Sequence, residues 1–402
     1  MLTRRALAQF LAAGPAVAVL GPEAFAKPGG LAAEPANDVA ASLHSTLARA
    51  GDLVASPFSL RAVFQMAAAG AAGETAREMR RALALPPASA SEPLSLGEAG
   101  RPGELPRFLV ANALWPASGI QLRQAWLALM RRWLRQEVVS IDFGRPEAAA
   151  RIINDWAAAN TERLIRDLVT PEQLDGARLV LANAIYFKAH WQHPFMPTST
   201  REEPFHAGPA RQIPVQMMNA RQRLRYAQGS GFHAVDLPYL GTDMRMAVLL
   251  PTERGGLAAL ESRLGGGRLS GWLADLAVAE PSRVILSLPK FEIASRHDLR
   301  TPLEAMGVRR AFRDDADFSG MSAEPLKIGF VTQSAVIRVD EEGTEAAAAT
   351  ALDAAGTGRA PRDQVVFRAD HPFLFVLRDA ATGAVAFMGR VTEPRAPAAH
   401  PS

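Results

Sequence analysis

Apolar residues recur along the chain with two different spacings, which predict helices and strands in a mixed order. Spacings of three and four residues indicate helices between Asp38 and about Leu85, over 122–136 and over 146–169. Shorter apolar runs indicate strands over 107–116 and 137–143. The two kinds of element do not alternate regularly, so the pattern predicts an α+β fold in a single domain.

Residues 177–191, "ARLVLANAIYFKAHW", form a nearly continuous apolar run. Such a run is typical of a strand in the middle of a sheet that is buried on both faces. Farther along, 283–296 predicts a strand pair and 297–308 a helix. Residues 365–392 predict a hairpin around the turn "DAATGA".

Composition sets the boundaries of the predicted domain. The Gly/Pro-rich segment 27–37 is predicted to be a flexible lead-in, and 86–106, rich in Pro, Ser, Gly and Glu, a long surface connection. The last residues, 395–402, are predicted to be a disordered tail. One domain over 38–394 remains.

Residues 1–26 have the features of an export signal. Arg4-Arg5 precedes a short apolar stretch, and "AFA" at 24–26 matches an A-x-A cleavage pattern. The paired arginines favour the Tat route over Sec; the alternative is an amphipathic helix that stays in the mature chain. Glycines and prolines break the apolar stretch, so it does not predict a membrane span. We expect a periplasmic or extracellular protein with no membrane partner.

Charge and cysteine content exclude several kinds of partner. Lys+Arg number 44 and Asp+Glu 41, a formal net charge of +3, and no long basic run predicts nucleic-acid binding. Arg131, Arg132 and Arg135 cluster in a predicted helix, where a solvated face is favoured over a polyanion site. The sequence has no cysteine, which excludes disulfides and thiolate metal sites.

The sequence lacks the common signatures of catalysis. It contains no G-x-S-x-G, H-E-x-x-H, Walker or G-x-G-x-x-G motif. His190 and His193 lie three residues apart, but a metal site would need further ligands, and two ordinary histidines are favoured. We predict that the protein is not an enzyme and holds no metal and no cofactor.

Four segments, in order along the chain, resemble the serpin family. "SPFSL" at 56–60 is similar to the start of its helix B, and "LVLANAIYFKAHWQHPF" at 179–195 to a strand of its main sheet and the breach region. "EEGTEAAAATA" at 341–351 resembles the hinge of its reactive-centre loop, and "FRADHPFLFVLRDAATGAVAFMGRV" at 367–391 its C-terminal signature. The resemblance extends over about 38–394.

The resemblance implies a fold of about nine helices and three β-sheets, with an exposed reactive-centre loop over about 341–364. It implies an inhibitor of serine endopeptidases that acts as a suicide substrate. The protease attacks a loop bond and forms an acyl-enzyme, and the cut loop then inserts as a new strand of the main sheet. The implied protein is a monomer whose partner is its target protease, without nucleic acid.

The hinge composition suits such an insertion. The matching positions are Glu341, Glu342, Gly343, Thr344, Glu345, Ala346, Ala347, Ala348, Ala349 and Thr350. Because side chains alternate between the faces of a strand, Thr344, Ala346, Ala348 and Thr350 share one face and Glu345 lies on the other. Small uncharged residues enter a core at low desolvation cost, and Gly343 gives backbone freedom. We expect the hinge to lie outside the sheet before cleavage, and Glu345 to face solvent after it. A surface helix beginning near Thr344 is the weaker alternative.

Family spacing from the hinge glycine places the scissile bond at Thr357–Gly358. An inserted strand of about fifteen residues spans roughly 50 Å, so a slip of two residues changes its reach. Threonine before the bond favours an elastase-like or subtilisin-like target; a cysteine protease is less favoured. Arg359 is the runner-up position, with Arg362 also near, and either would attract a trypsin-like protease.

Four polar residues match the family's shutter, which lies beneath the point where the main sheet opens: Ser56, Ser59, Asn183 and Gln333. A buried network of hydroxyls and amides can hold a sheet closed and re-form after it expands. The family commonly has a histidine where this chain has Gln333, so pH dependence from that position is in doubt.

Three further residues match the breach at the top of the main sheet. Trp191 matches its tryptophan, and Lys290 and Glu341 match a pair that can bridge at the base of the hinge. We expect this pair to be exposed and therefore weak.

The main alternative within the family is a non-inhibitory serpin that acts as a binding or chaperone-like protein. Such members tend to have bulky or charged hinge residues, which this chain lacks, so inhibition is favoured. An unrelated hydrolase has no motif in its support.

Overall fold

The computed structural model describes residues 18–20, 33–87, 107–134, 137–344 and 364–397. These residues contain eight α-helices: α1 (Ala33–Leu47), α2 (Pro57–Ala69), α3 (Gly73–Ala82), α4 (Gln124–Leu134), α5 (Pro146–Asn160), α6 (Leu257–Glu261), α7 (Arg268–Val278) and α8 (Arg300–Met306). None of them is long and apolar enough to span a membrane.

The strands of the same residues are β1 (Ala18–Leu20), β2 (Leu53–Ala55), β3 (Arg107–Pro116), β4 (Leu179–His190), β5 (Arg201–Gly208), β6 (Arg211–Gly229), β7 (Phe232–Pro238), β8 (Met244–Pro251), β9 (Pro281–Pro289), β10 (Phe291–Asp298), β11 (Phe330–Val339), β12 (Gly343–Thr344), β13 (Gln364–Arg368), β14 (Phe373–Asp379) and β15 (Val385–Val391). Helices and strands are mixed as predicted for the α+β class.

The main sheet has the strand order β1-β3-β4-β11-β10, and β12 pairs with one end of β4. Residues 179–187 of the central strand β4 are at most 1% exposed. The prediction of a central strand buried on both faces is therefore confirmed. β1, which lies within the predicted export signal, pairs with residues 108–110 of β3. Removing residues 1–26 would expose that edge of β3.

The second sheet has the order β13-β9-β6-β7-β8-β14-β15-β2, with β5 also on β6. β6 has 19 residues. It pairs with β5 and β9 over most of its length and with β7 at its C-terminal end. Because β6 pairs with β5 and β9 along one part and with β7 along another, all these strands belong to one sheet. The described residues therefore contain two sheets, whereas the resemblance implied three.

The main sheet is covered on both faces. Its inner face packs on the second sheet, where Ile185 and Phe187 join one core cluster with Phe375. Its outer face packs on α5, whose Trp156 meets Trp115 of β3 edge to face, with ring centroids 5.0 Å apart. The core cluster that contains the buried residues of α5 also includes residues of β3, β4 and β11, and we call it the α5 cluster.

Two predicted elements differ from the observed ones. The predicted helix over 146–169 ends at Asn160, because Glu162 and Arg163 have positive φ angles and turn the chain. Segment 137–143 is not a strand. Its one β-bridge pairs Ile141 with Ala117, just past the end of β3.

Three further boundaries refine the predictions. The strand pair over 283–296 is present as β9 and β10, but they belong to different sheets. The hairpin of β14 and β15 is confirmed. Helix α1 begins at Ala33, before the predicted domain start, and Arg395 O still accepts a hydrogen bond from Glu292 N after the predicted domain end.

Candidate functional site

The contact between β4 and β11, here called the seam, is parallel and pairs residues 180–187 with 330–337. The other described contacts of the main sheet are antiparallel. Parallel pairing is slightly less stable per residue than antiparallel pairing. A strand running opposite to both β4 and β11 would replace one parallel contact by two antiparallel ones. The seam is therefore where this sheet can best accept another strand.

A row of polar residues crosses the sheet at the seam. Asn112, Asn183, Gln333 and His297 are register neighbours on β3, β4, β11 and β10. Gln333 Nε2 donates to Asn183 Oδ1 at 3.0 Å, and Asn183 Nδ2 donates to Asn112 Oδ1. Because the Gln333–Asn183 bond spans the seam, it must break when the two strands separate.

Ser56 links this row to the start of α2. Its backbone N donates to Gln333 Oε1 at 2.7 Å, and Gln333 Nε2 donates to Ser56 O at 3.0 Å. Its hydroxyl caps the helix by accepting from Ser59 N at 3.2 Å and lies 2.7 Å from Ala386 O. The exposed fractions of the predicted shutter residues are Ser56 1%, Ser59 0%, Asn183 1% and Gln333 0%. The four residues thus form one buried network; their role in gating stays a prediction.

Two members of the row were not predicted. Asn112 lies in "ANA" at 111–113, which repeats the "ANA" around Asn183, and this repetition was a usable signal. His297 Nε2 lies 3.2 Å from Val54 O. Burial lowers the pKa of His297, although the contact with Val54 opposes the shift. The row therefore contains a histidine one strand away from Gln333.

The chain leaves β11 through a tight turn at Asp340. Asp340 Oδ1 accepts from Glu342 N at 3.0 Å and from Gly343 N at 3.3 Å. Burial raises the pKa of Asp340, although these two hydrogen bonds and the nearby Lys290 charge oppose the shift. The turn reverses the chain and directs it back along β4.

The first two hinge residues after the turn are already in the sheet. Gly343 and Thr344 form β12, antiparallel to His190 and Ala189 of β4. The expectation that the whole hinge lies outside the sheet is therefore wrong. The reason is that β11 pairs with β4 only as far as Phe187, which leaves the end of β4 free to pair with β12.

Position 343 requires glycine for a second reason besides backbone freedom, because the backbone of β12 lies very close to that of β4. A Cβ atom at this position would lie 2.1 Å from Ala189 O and 2.6 Å from His190 Cα. Any other residue at 343 would therefore separate β12 from β4.

Trp191 contacts the base of the hinge, as the resemblance implies. It is 2% exposed, its Nε1 donates to Asp340 O at 3.0 Å, and its backbone N donates to Glu342 O at 2.9 Å. The indole stacks on Tyr239 with ring centroids 4.5 Å apart. The Trp191 side chain is thus held between the second sheet and the turn.

Lys290 and Glu341 form the predicted bridge, with Nζ 2.7 Å from Oε2. Their side chains are only 24% and 12% exposed, so the expectation of an exposed pair is wrong. Thr200, which was not predicted, donates to Glu341 Oε1 at 2.7 Å. Burial raises the pKa of Glu341, but the hydrogen bonds from Lys290 and Thr200 outweigh it, and the pKa is lowered overall.

The remaining predicted site residues lie outside the described residues. They are Glu345, Ala346, Ala347, Ala348, Ala349 and Thr350 of the hinge and Thr357, Gly358 and Arg359 near the predicted scissile bond. Of Thr344, only the backbone is described.

The described residues thus place the start of the hinge, as β12, at the end of the parallel seam in the main sheet. The family model described as Serpin (serine protease inhibitor) matches residues 34–394. The chain belongs to the serpin family. As a family, serpins target serine proteases as inhibitors and do not act as enzymes, although some members are non-inhibitory.

Relatives are similar over most of their length. The bovine (Bos taurus) leukocyte elastase inhibitor is 34% identical over 86% of this chain and 94% of its own. An uncharacterized serpin-like protein of Thermococcus kodakarensis is 37% identical over 85% of this chain and 80% of its own. The crystal structure of uncleaved ovalbumin has a TM-score of 0.78 at 27% identity and covers 91% of this chain and 99% of ovalbumin.

Proposed function

We propose that this protein inhibits a serine endopeptidase as a suicide substrate, by insertion of its cut loop at the seam. The observation that carries the proposal is the direction of β12. It already runs antiparallel to β4 at the end of a parallel seam, so further insertion continues a pairing that has begun.

The register of β12 assigns a partner to each inserted residue. Paired numbers in an antiparallel register have a constant sum, here 343 + 190 = 344 + 189 = 533. Residues 346, 348 and 350 would therefore pair with Phe187, Ile185 and Asn183. Ile185 and Phe187 belong to the core between the two sheets. This supports the predicted inward face of Ala346, Ala348 and Thr350.

The opposite face of the inserted strand would be only partly solvated. By the same register, residues 347 and 349 would pair with Tyr186 and Ala184, which are 0% exposed and belong to the α5 cluster. This gives a reason for alanine at 347 and 349 that the alternation alone did not supply. By the same register, Glu345 would pair with residue 188, nearer the end of β4 at His190.

Thr350 would arrive between Asn183 and Gln333, in the row whose bond across the seam is lost on opening. Its hydroxyl can donate one hydrogen bond and accept others. The buried amides of Asn183 and Gln333 would thus regain a partner, which offsets the cost of leaving them unsatisfied.

The reach of the inserted strand supports Thr357–Gly358 as the scissile bond. The far end of β4, Leu179, would pair with residue 354, so Thr357 would lie just past the end of the strand. Arg359 would lie farther beyond it. We retain an elastase-like or subtilisin-like protease as the favoured target, with a monomeric, exported inhibitor in the periplasm or outside the cell.

The test is to mix the protein with subtilisin-like, elastase-like and trypsin-like proteases and to look for an SDS-stable adduct. Mass spectrometry of the released peptide locates the bond that was cut. We expect an adduct with at least one protease and cleavage after Thr357. Cleavage without any adduct, and with no rise in Tm, would instead identify a non-inhibitory serpin.

A further inference from the structure

Three exposed arginines lie together on the outer face of the second sheet. Arg221 and Arg223 are on β6, and Arg283 is on β9, where it stands directly opposite Arg223 in the antiparallel register. Leu224, which follows Arg223, and Val284, which follows Arg283, belong to the core between the sheets. We call Arg221, Arg223 and Arg283 the arginine patch.

Within the described part of the chain, no ion pair neutralises the patch. Like charges directly opposite each other on neighbouring strands are destabilising, and Arg223 donates only to Pro281 O, at 3.3 Å. Two carboxylates on strands that pair with β6 have other partners. Glu203 accepts from Arg368 and Asn219, and the buried Asp236 accepts from Arg378 at 2.7 Å.

The patch continues onto the strand that follows the reactive loop. In β13, Gln364 pairs with Arg283, and Val366 pairs with Ile285, which is opposite Arg221. Val366 is 67% exposed. From the predicted scissile residue to β13 there are 364 − 357 = 7 residues, which span at most about 25 Å. A protease bound at Thr357 is thus tethered close to the patch.

We propose that the arginine patch is a second contact surface for the target protease and that it selects proteases with acidic residues beside the active-site cleft. This rests on the proposed inhibitory function. Val366 and Ile285 at the centre, with arginines around them, match the apolar core and arginine enrichment of protein interfaces. Such a charged surface accelerates encounter more than it strengthens the final complex.

The experiment compares adduct-formation rates of the wild type and Arg223→Glu/Arg283→Glu. The matched control is Arg151→Glu/Arg268→Glu, which changes the net charge equally at exposed positions on α5 and α7. Both are measured with an acidic-surfaced and a basic-surfaced protease that form adducts, from about 0.02 to 0.5 M NaCl, since salt screens such steering. Thermal unfolding checks that both variants are folded.

With the acidic protease at low salt, we expect the patch variant to react about tenfold more slowly and the control to match the wild type. With the basic protease the patch variant should not be slower. If the wild type and the patch variant both form adducts with the acidic protease and do so at equal rates, the patch proposal is wrong. The proposed inhibitory function would still stand in that case. A patch effect seen only when heparin is added would also overturn it, in favour of a polyanion site. If the wild type forms no adduct with any protease, the inhibitory function fails and this proposal with it.

Discussion

Exchanging the residues at positions 345 and 348 changes which hinge side chains face the core after insertion but leaves the composition of the hinge unchanged. The double variant Glu345→Ala/Ala348→Glu has the same composition and charge as the wild type. It moves the carboxylate from the open end of the strand to the position that would pair with Ile185. Ile185 and its neighbour across the seam, Ala335, are both 0% exposed.

Burying an unpaired carboxylate costs several kcal/mol even after relaxation. If about 4 kcal/mol of this raises the insertion barrier, insertion slows about a thousandfold, because each 1.36 kcal/mol is tenfold in rate. Deacylation then occurs before the protease is trapped. We expect the double variant to be a substrate, and the single variant Glu345→Ala to trap the protease as the wild type does.

The assay is the fraction of protease in SDS-stable adduct against the fraction of inhibitor that is merely cut. Lower pH should partly restore trapping by the double variant, because burial raises the pKa of the carboxyl and the neutral form costs less to insert. Equal trapping by the double variant and the wild type would refute the assigned register and the inward face of position 348.

Further predictions concern the turn and the breach. Gly343→Ala should release β12, because its Cβ cannot fit beside Ala189 O; faster proteolysis within 340–345 measures this, and an unchanged rate contradicts it. Lys290→Met should lower the free energy of unfolding at neutral pH by about 1 kcal/mol. Since the pKa of Glu341 is lowered, the wild type loses this stabilisation as the pH falls through that pKa. Free energies of unfolding measured with urea should therefore become equal for the two proteins in acid. A difference that stays constant with pH would argue against a stabilising role of the pair. Trp191→Phe should abolish the change in tryptophan fluorescence on loop cleavage, because Trp191 contacts Asp340 O, whereas the control Trp272→Phe should retain it.

The sequence indicated which residues come together at the candidate site, but it did not predict how they are arranged there. The quoted motifs contain Ser56, Asn183 and Trp191, which the structure places at the row across the seam and at the base of the hinge. The pairing of Gly343 and Thr344 with β4 was not predictable, because it depends on where β11 stops pairing. The hydrogen bond from Thr200 to Glu341 was not predictable either, because Thr200 is distant in the sequence and lies in no recognisable motif.

Helices, too, were predicted more successfully than the residues at which they end. Apolar spacing predicted α5 but not its end at Asn160, since the positive φ angles at Glu162 and Arg163 have no glycine to mark them. The two-sheet arrangement depends on β6 continuing for 19 residues, which is longer than any strand predicted from the sequence.

The α5 cluster contains residues from strands on both sides of the seam, among them Tyr186 of β4 and Phe330 and Val336 of β11. Trp156 holds α5 against β3, on the side of the seam away from β11. If the seam opens as proposed, this cluster must divide, and we expect α5 to stay with β3 while Phe330 and Val336 move away with β11. Under the proposed inhibitory function, tighter packing within the α5 cluster would give a longer-lived native state but slower insertion of the cut loop.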